Sequence, residues 1–69
     1  MDTIEYTVTG MTCEHCERAV ADEVGRLDGI AGVDVSASNG RLVVTAAQPV
    51  DDAQVVAAVE EAGYAAVRA

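Results

Sequence analysis

Hydrophobic and polar residues alternate along four short segments of the chain, and they recur every three or four residues along two others. In the first segment Ile4, Tyr6 and Val8 fall on one side, and threonine and glutamate fall on the other. Strict alternation predicts a strand with one buried face, whereas the longer spacing predicts a helix with an apolar stripe. The predicted strands are Thr3–Thr9, Ile30–Ala37, Arg41–Ala46 and Tyr64–Arg68.

Two segments show the helical spacing. The first is predicted over Glu14–Leu27, with Glu14–Arg18 and Asp22–Arg26 spaced as favourable ion pairs one turn apart. Its apolar stripe consists of Cys16, Ala19, Val20, Val24 and Leu27. The second is predicted over Asp52–Ala62, with Asp51 as N-cap, Gln54 completing a capping box, and Gly63 as C-cap.

The dipeptide Asn39-Gly40 separates the second and third predicted strands, and it predicts a two-residue type I′ hairpin turn. The six elements then follow the order β-α-β-β-α-β. This order is typical of an α+β ferredoxin-like sandwich, in which two helices cover one face of a four-stranded antiparallel sheet. Without a linker or repeat, residues 1–69 are expected to form one domain.

Composition narrows the class of function. The chain has 69 residues, 51% of them hydrophobic, which leaves little material for an enzyme's cleft and lid and favours a binding or carrier module. Its formal net charge of −8 argues against a nucleic-acid partner and against docking on an anionic membrane. No signal peptide or membrane-length apolar run is visible, so a cytoplasmic location and no membrane insertion are expected.

Cys13 and Cys16 are the two cysteines of the chain, and they form a Cys-x-x-Cys motif at the predicted start of the first helix. Thiolates are soft donors suited to Cu(I), or nucleophiles suited to thiol–disulfide chemistry. The positive end of the helix dipole favours the thiolate form, while Glu14 and Glu17 oppose it. We expect both sulfurs on an exposed loop. Structural Zn(II) prefers four ligands, more than the two cysteines supply.

The string Gly10-Met11-Thr12-Cys13-Glu14-His15-Cys16, followed by Arg-Ala-Val after one residue, resembles the heavy-metal-associated domain family. Within that family the chain is most similar to the small bacterial and archaeal copper chaperones, over essentially its whole length. The resemblance implies that Cys13 and Cys16 bind Cu(I) as a near-linear bis-thiolate. It also implies a role in copper homeostasis, with transfer by ligand exchange to a copper-transporting P-type ATPase.

The neighbouring residues have two interpretations each. Met11 is either a soft third ligand or, as the resemblance implies, a hydrophobic anchor under the loop. Thr12 stands where zinc- and cadmium-selective relatives often carry Asp, so it favours copper. His15 is either an extra ligand or a solvated side chain. Tyr64 matches a position near the metal loop in bacterial copper chaperones, and it is expected to pack in the core.

Other functions stay open at this point. A thiol–disulfide oxidoreductase usually has a Trp and a Pro beside its cysteines, and Pro49, the one proline, lies far along the chain. A mercury carrier, another soft-metal carrier or a detached domain of the ATPase would share the motif. Ag(I) has nearly the preferences of Cu(I), and weak Zn(II) binding is also compatible. Cysteines shared between two chains would give a metal-bridged homodimer.

Overall fold

A computed structural model describes residues 2–11 and 14–69 of the chain. It contains six elements in the predicted order, and Met1, Thr12 and Cys13 lie outside the described residues. The elements are β1 (Asp2–Thr9), α1 (Glu14–Gly25), β2 (Ile30–Ser36), β3 (Arg41–Ala46), α2 (Asp52–Glu61) and β4 (Ala65–Arg68). The predicted boundaries hold to within two residues.

The four strands form one antiparallel sheet in the order β2-β3-β1-β4. The side chains that alternate toward the helices are buried or partly buried against the core, and those on the opposite side are at least partly exposed. The largest fully buried side chains come from both layers: Tyr6, Leu42, Val20, Val24, Val44, Val55 and Val59. The ferredoxin-like α+β class predicted from the element order is therefore confirmed.

Helix α1 ends at Gly25, two residues earlier than predicted. The N–H of Leu27 donates to the carbonyl of Val24 at 3.1 Å, a tight turn that follows a residue of low helix propensity. Leu27 still packs against the core. Arg26 pairs with Glu23 at 3.2 Å rather than with Asp22 as predicted.

The turn between β2 and β3 differs from the prediction. The strands are joined by four residues, 37–40, with Ser36 opposite Arg41. Gly40 has a φ of +63°, but Asn39 does not have a positive φ, so the type I′ turn is wrong. Type I′ needs both central residues in the left-handed region, and the longer loop places only the glycine there.

Helix α2 begins after the predicted N-cap, Asp51, although the side chain of Asp51 makes no capping hydrogen bond. The backbone carbonyl of Asp51 accepts from Gln54 and Val55 instead. The helix ends one residue early, with Ala62 rather than Gly63 in the C-cap position. Gly63 follows with a φ of +99°, which turns the chain toward β4.

Within the described ranges 2–11 and 14–69, neither helix has the length and apolar character needed to span a bilayer.

Candidate metal centre

Three connecting segments meet at one end of the sheet. Strand β1 runs toward Gly10, and its pairing of Thr7 with Arg41 places the β2–β3 loop beside that end. Its pairing of Thr9 with Ala65 places the α2–β4 connection there as well. Residues 10–16, which we call the cysteine segment, follow β1 at this end, and their last three residues are the first three of α1. We call this region the cysteine end.

Met11 and Cys16 lie on either side of Cys13 in the sequence, and both belong to the hydrophobic core. Met11 is 9% exposed and Cys16 is 8% exposed. Cys16 lies in the first turn of α1, four residues before Val20 and eight before Val24, so all three share the inward stripe of the helix. The expectation that the sulfur of Cys16 lies on an exposed loop is therefore wrong, because helical periodicity turns it toward the sheet.

The other motif residues are distributed differently. Thr12 and Cys13 lie outside the described residues, as does the side chain of Glu14, so the predicted Glu14–Arg18 pair lies there too. His15 is exposed to solvent. Among residues 2–11 and 14–69, no three side chains of His, Cys, Asp or Glu are arranged to hold a metal ion.

Tyr64 lies against the residue that opens the cysteine segment. Gly10 has a φ of +95°, and a Cβ built on it would lie 3.3 Å from Cδ1 of Tyr64. A larger residue at position 10 would therefore be strained in its backbone and crowded by the ring. Tyr64 itself packs against the core as a partly buried side chain, so the structure brings Gly10, Met11, Cys16 and Tyr64 to the same end of the molecule.

Glu17 makes a contact at this end that the sequence analysis missed. Its Oε2 accepts a hydrogen bond of 2.7 Å from the backbone N–H of Ala37, twenty residues away at the start of the β2–β3 loop. The bond is partly buried. Side-chain periodicity gives no signal for it, because the partner is a main-chain group on another element.

A second missed cluster lies on the helix-facing side of the sheet. The hydroxyl of Tyr6 donates to Oδ1 of Asp52 at 2.8 Å, and Nη1 of Arg68 donates to Oδ2 of Asp52 at 2.6 Å. Burial, and then the adjacent Asp52 carboxylate, raise the pKa of Tyr6 to about 12. The bonds from Tyr6 and then from Arg68 hold the pKa of Asp52 below its usual value. We call these three residues the tyrosine cluster.

The sulfur of Cys16 is a soft donor atom that the described residues place at the cysteine end. The sulfur of Cys16 sits in the first helical turn, where backbone N–H groups lack partners within the helix and the dipole favours negative charge. Met11 and Cys16 belong to the same core cluster, and burial of Cys16 in that cluster fixes the position of the turn. This arrangement suits a thiolate donor held at a defined place rather than on a mobile side chain.

The sequence model of the heavy-metal-associated domain matches residues 5–65. The copper chaperone CopZ of Bacillus subtilis (strain 168) is 40% identical over 65 residues, which cover 93% of this chain and 94% of that protein.

Two solved structures share the fold over nearly the whole chain. A copper binding domain from HMA7, a P-type ATPase, is 28% identical with a TM-score of 0.93, covering 100% of this chain and 95% of that one. The N-terminal domain of ZntA in its Zn(II) form is 35% identical with a TM-score of 0.87, covering 96% and 89%. The names of these three relatives refer to copper or to zinc.

Proposed function

Because the chain belongs to the heavy-metal-associated domain family, we propose that it is a copper carrier in which the thiolates of Cys13 and Cys16 hold one Cu(I) ion. The observation that carries this proposal is the position of Cys16, buried in the first turn of α1 within a motif that contains a second cysteine three residues earlier. The CopZ relative is named as a copper chaperone, which supports the same role here.

The donor set favours a soft monovalent ion. Thiolates select Cu(I), and Ag(I) with nearly the same preferences, over hard cations. In this proposal Met11 packs in the core as a hydrophobic anchor, and it does not ligate the metal. His15 remains in solvent. Thr12 and Tyr64 do not donate to the metal in this proposal.

Transfer is proposed to proceed by ligand exchange. A thiolate of the acceptor adds to the bound ion to give a three-coordinate state, and one of the two original Cu–S bonds then breaks. The copper stays Cu(I) throughout, and no electron is transferred. The acceptor is a copper-transporting P-type ATPase, a proposal supported by the similarity to a copper binding domain from a P-type ATPase.

Residues 1–69 act as one metal-binding domain in the cytoplasm, where a reducing environment keeps both thiols available. The role is carriage, without a catalysed reaction and without a nucleic-acid partner. A metal-bridged homodimer, with four cysteines from two chains, is the alternative state of the loaded protein.

An anaerobic competition titration tests the proposal. The chain is titrated with Cu(I) in the presence of a chromophoric chelator of moderate affinity, beside the variant Cys13→Ser/Cys16→Ser. We expect one Cu(I) bound per chain and at least about a thousandfold weaker binding in the variant, since hydroxyls are poor soft-metal ligands. Tight binding retained by the variant would overturn the thiolate site.

Zinc is the second candidate cargo, because the ZntA domain in its Zn(II) form is 35% identical to this chain. A parallel titration with Zn(II) separates the two. The copper proposal expects Zn(II) to be displaced by an equimolar amount of Cu(I), since two thiolates leave the four-coordinate preference of zinc unfilled. Retention of Zn(II) under that challenge would favour a zinc carrier.

A further inference from the structure

The β2–β3 loop is hydrogen-bonded at one end to β1, which precedes the cysteine segment, and at the other end to Glu17 in α1, which follows it. We infer that Glu17 is a positioning residue for Cu(I) binding, which holds the start of α1 at a fixed distance from β1 through this loop. The inference rests on the proposed function, and it concerns how the first turn of α1 is held in position at the same site.

The first bond joins the loop to helix α1, directly after the cysteine segment. Glu17 comes directly after Cys16 in the first turn of α1, and its carboxylate accepts from the N–H of Ala37 at 2.7 Å. Strand β2 lies at the edge of the sheet, with β3 as its one neighbouring strand, and it ends at Ser36, directly before the loop. A bond from a main-chain N–H to a carboxylate is stronger than one to a neutral acceptor, and partial burial strengthens it further.

The second bond joins the loop to strand β1, before the cysteine segment. The N–H of Val8 donates to the carbonyl of Gly40 at 2.7 Å, two residues before Gly10. Gly40 lies in the left-handed region, and a Cβ on it would lie 2.8 Å from the carbonyl oxygen of Val8. A glycine at this position is therefore needed for the loop to approach β1 this closely.

Together the two bonds link Val8 of β1 to Glu17 of α1 through the four loop residues 37–40. Cys16 is fixed to the core on one side by its own burial. Glu17 fixes the neighbouring face of the same helical turn to the loop. The turn is thereby restrained from two directions, which limits the rearrangement needed when a metal binds.

The effect of Glu17 as a tether and its effect as a charge have opposite signs. A carboxylate next to a thiolate opposes the anionic donor, so removing the charge alone strengthens Cu(I) binding or leaves it unchanged. Removing the hydrogen bond weakens it. Two substitutions of similar size separate the effects, because Glu17→Gln keeps an acceptor oxygen for Ala37 whereas Glu17→Leu does not.

The experiment measures Cu(I) affinity by anaerobic competition and exchange of the Ala37 amide hydrogen by NMR in the full chain. Asp22→Ala serves as a control, since it removes one charge from an exposed position of the same helix. We expect Glu17→Leu to bind Cu(I) about tenfold more weakly, the lower end for groups that orient metal ligands. Its Ala37 amide exchanges faster. Glu17→Gln keeps the wild-type exchange rate and binds Cu(I) at least as tightly as the wild type, and Asp22→Ala matches the wild type in both measurements.

Equal affinity in Glu17→Leu and the wild type would overturn the inference, and so would equal losses in Glu17→Leu and Glu17→Gln. Unaltered exchange at Ala37 in Glu17→Leu would overturn it independently of any metal. Failure of the wild type to bind Cu(I) contradicts the proposed function instead, so the two failures are distinct. Leucine is a good helix former, and urea unfolding of each apo variant verifies that it is folded.

Discussion

The two helices are attached to the sheet by contacts of different chemistry. At the start of α2, the tyrosine cluster joins β1, α2 and β4 through a carboxylate that accepts from both a phenol and a guanidinium. At the start of α1, the contacts include the buried stripe that begins at Cys16 and the hydrogen bond from the Ala37 N–H to Glu17. The first arrangement stabilises the fold, and in the proposed function the second holds the sulfur of Cys16 in place for the metal ion.

This difference predicts that stability and the proposed metal binding can be altered separately. The tyrosine cluster contains no residue of the cysteine motif, and its members lie on elements other than α1. Changes there should alter the free energy of unfolding of the apo protein and leave Cu(I) affinity intact. Changes at the cysteine end should alter affinity as well.

The largest effect is expected from Gly40→Ala. The substitution forces a side chain into left-handed backbone with φ of +63° and brings its Cβ within 2.8 Å of the Val8 carbonyl. We expect the free energy of unfolding to fall by about 2 kcal/mol, and Cu(I) affinity to fall with it. Urea unfolding of the apo protein and the competition titration measure the two quantities.

Gly25→Ala is the matched control for that variant. Its Cβ would meet nothing within 4 Å, its φ is not positive, and it lies in α1. It should raise the free energy of unfolding by about 0.5 to 1 kcal/mol. An unchanged stability in Gly40→Ala would show that the loop does not need its glycine.

Tyr6→Phe tests the other side of the comparison. The change removes the hydroxyl that donates to Asp52 and keeps the buried ring. We expect a loss of about 1 kcal/mol in the free energy of unfolding, typical of one hydrogen bond, and a Cu(I) affinity within about twofold of the wild type, as for independent sites. A tenfold change in affinity would show that the two regions are coupled.

The pH dependence of stability should follow from Asp52. Its pKa is lowered in the folded state, so its contribution is present above the ordinary carboxyl pKa of about 3.9 and disappears as pH falls through the lower folded value. The difference in stability between the wild type and Asp52→Asn should therefore shrink between pH 7 and pH 2 in urea unfolding. A constant difference would contradict this assignment.

At alkaline pH the sign reverses for Tyr6. Its folded pKa of about 12 lies above the ordinary value, so the contribution of the neutral phenol is complete below about pH 10 and is lost as pH rises toward 12. Tyr6→Phe should lack this loss, and absorbance of the phenolate provides an independent titration of the folded protein.

The smallest effect is expected from Glu5→Gln. Glu5 pairs with Arg41 at 3.1 Å, but the two side chains are 45% and 57% exposed. Exposed pairs contribute little, so the free energy of unfolding should change by less than about 0.5 kcal/mol and Cu(I) affinity should not change. A loss comparable to that of Tyr6→Phe would mean that the outer face of the sheet contributes more than its exposure indicates.

Local patterns were sufficient for the elements. Apolar residues alternate around Tyr6 and Val8, and they recur every three or four residues through Val20 and Val24. Each pattern indicates burial on one face, which is what the fold requires of those positions. The confirmed element order then left few arrangements of the sheet. The turn at Asn39 was misjudged because its type depends on loop length, which is set by where the strands stop pairing.

The site was predicted less completely. The helical stripe already contained Cys16, yet the motif alone suggested an exposed loop, and tertiary packing decided the matter in favour of burial. The bonds of Glu17 and of Asp52 involve partners twenty and forty-six residues away. No local pattern encodes such pairs, because they depend on where the completed sheet places each side chain.

X-ray absorption at the copper edge of the Cu(I)-loaded chain tests the central claim most directly, since it identifies the atoms bound to the metal. The account predicts Cu(I) with two sulfur neighbours in a near-linear arrangement in the monomeric protein, and loss of this signal in Cys13→Ser/Cys16→Ser. A coordination shell of nitrogen or oxygen atoms, or a sulfur signal that survives in that variant, would contradict it.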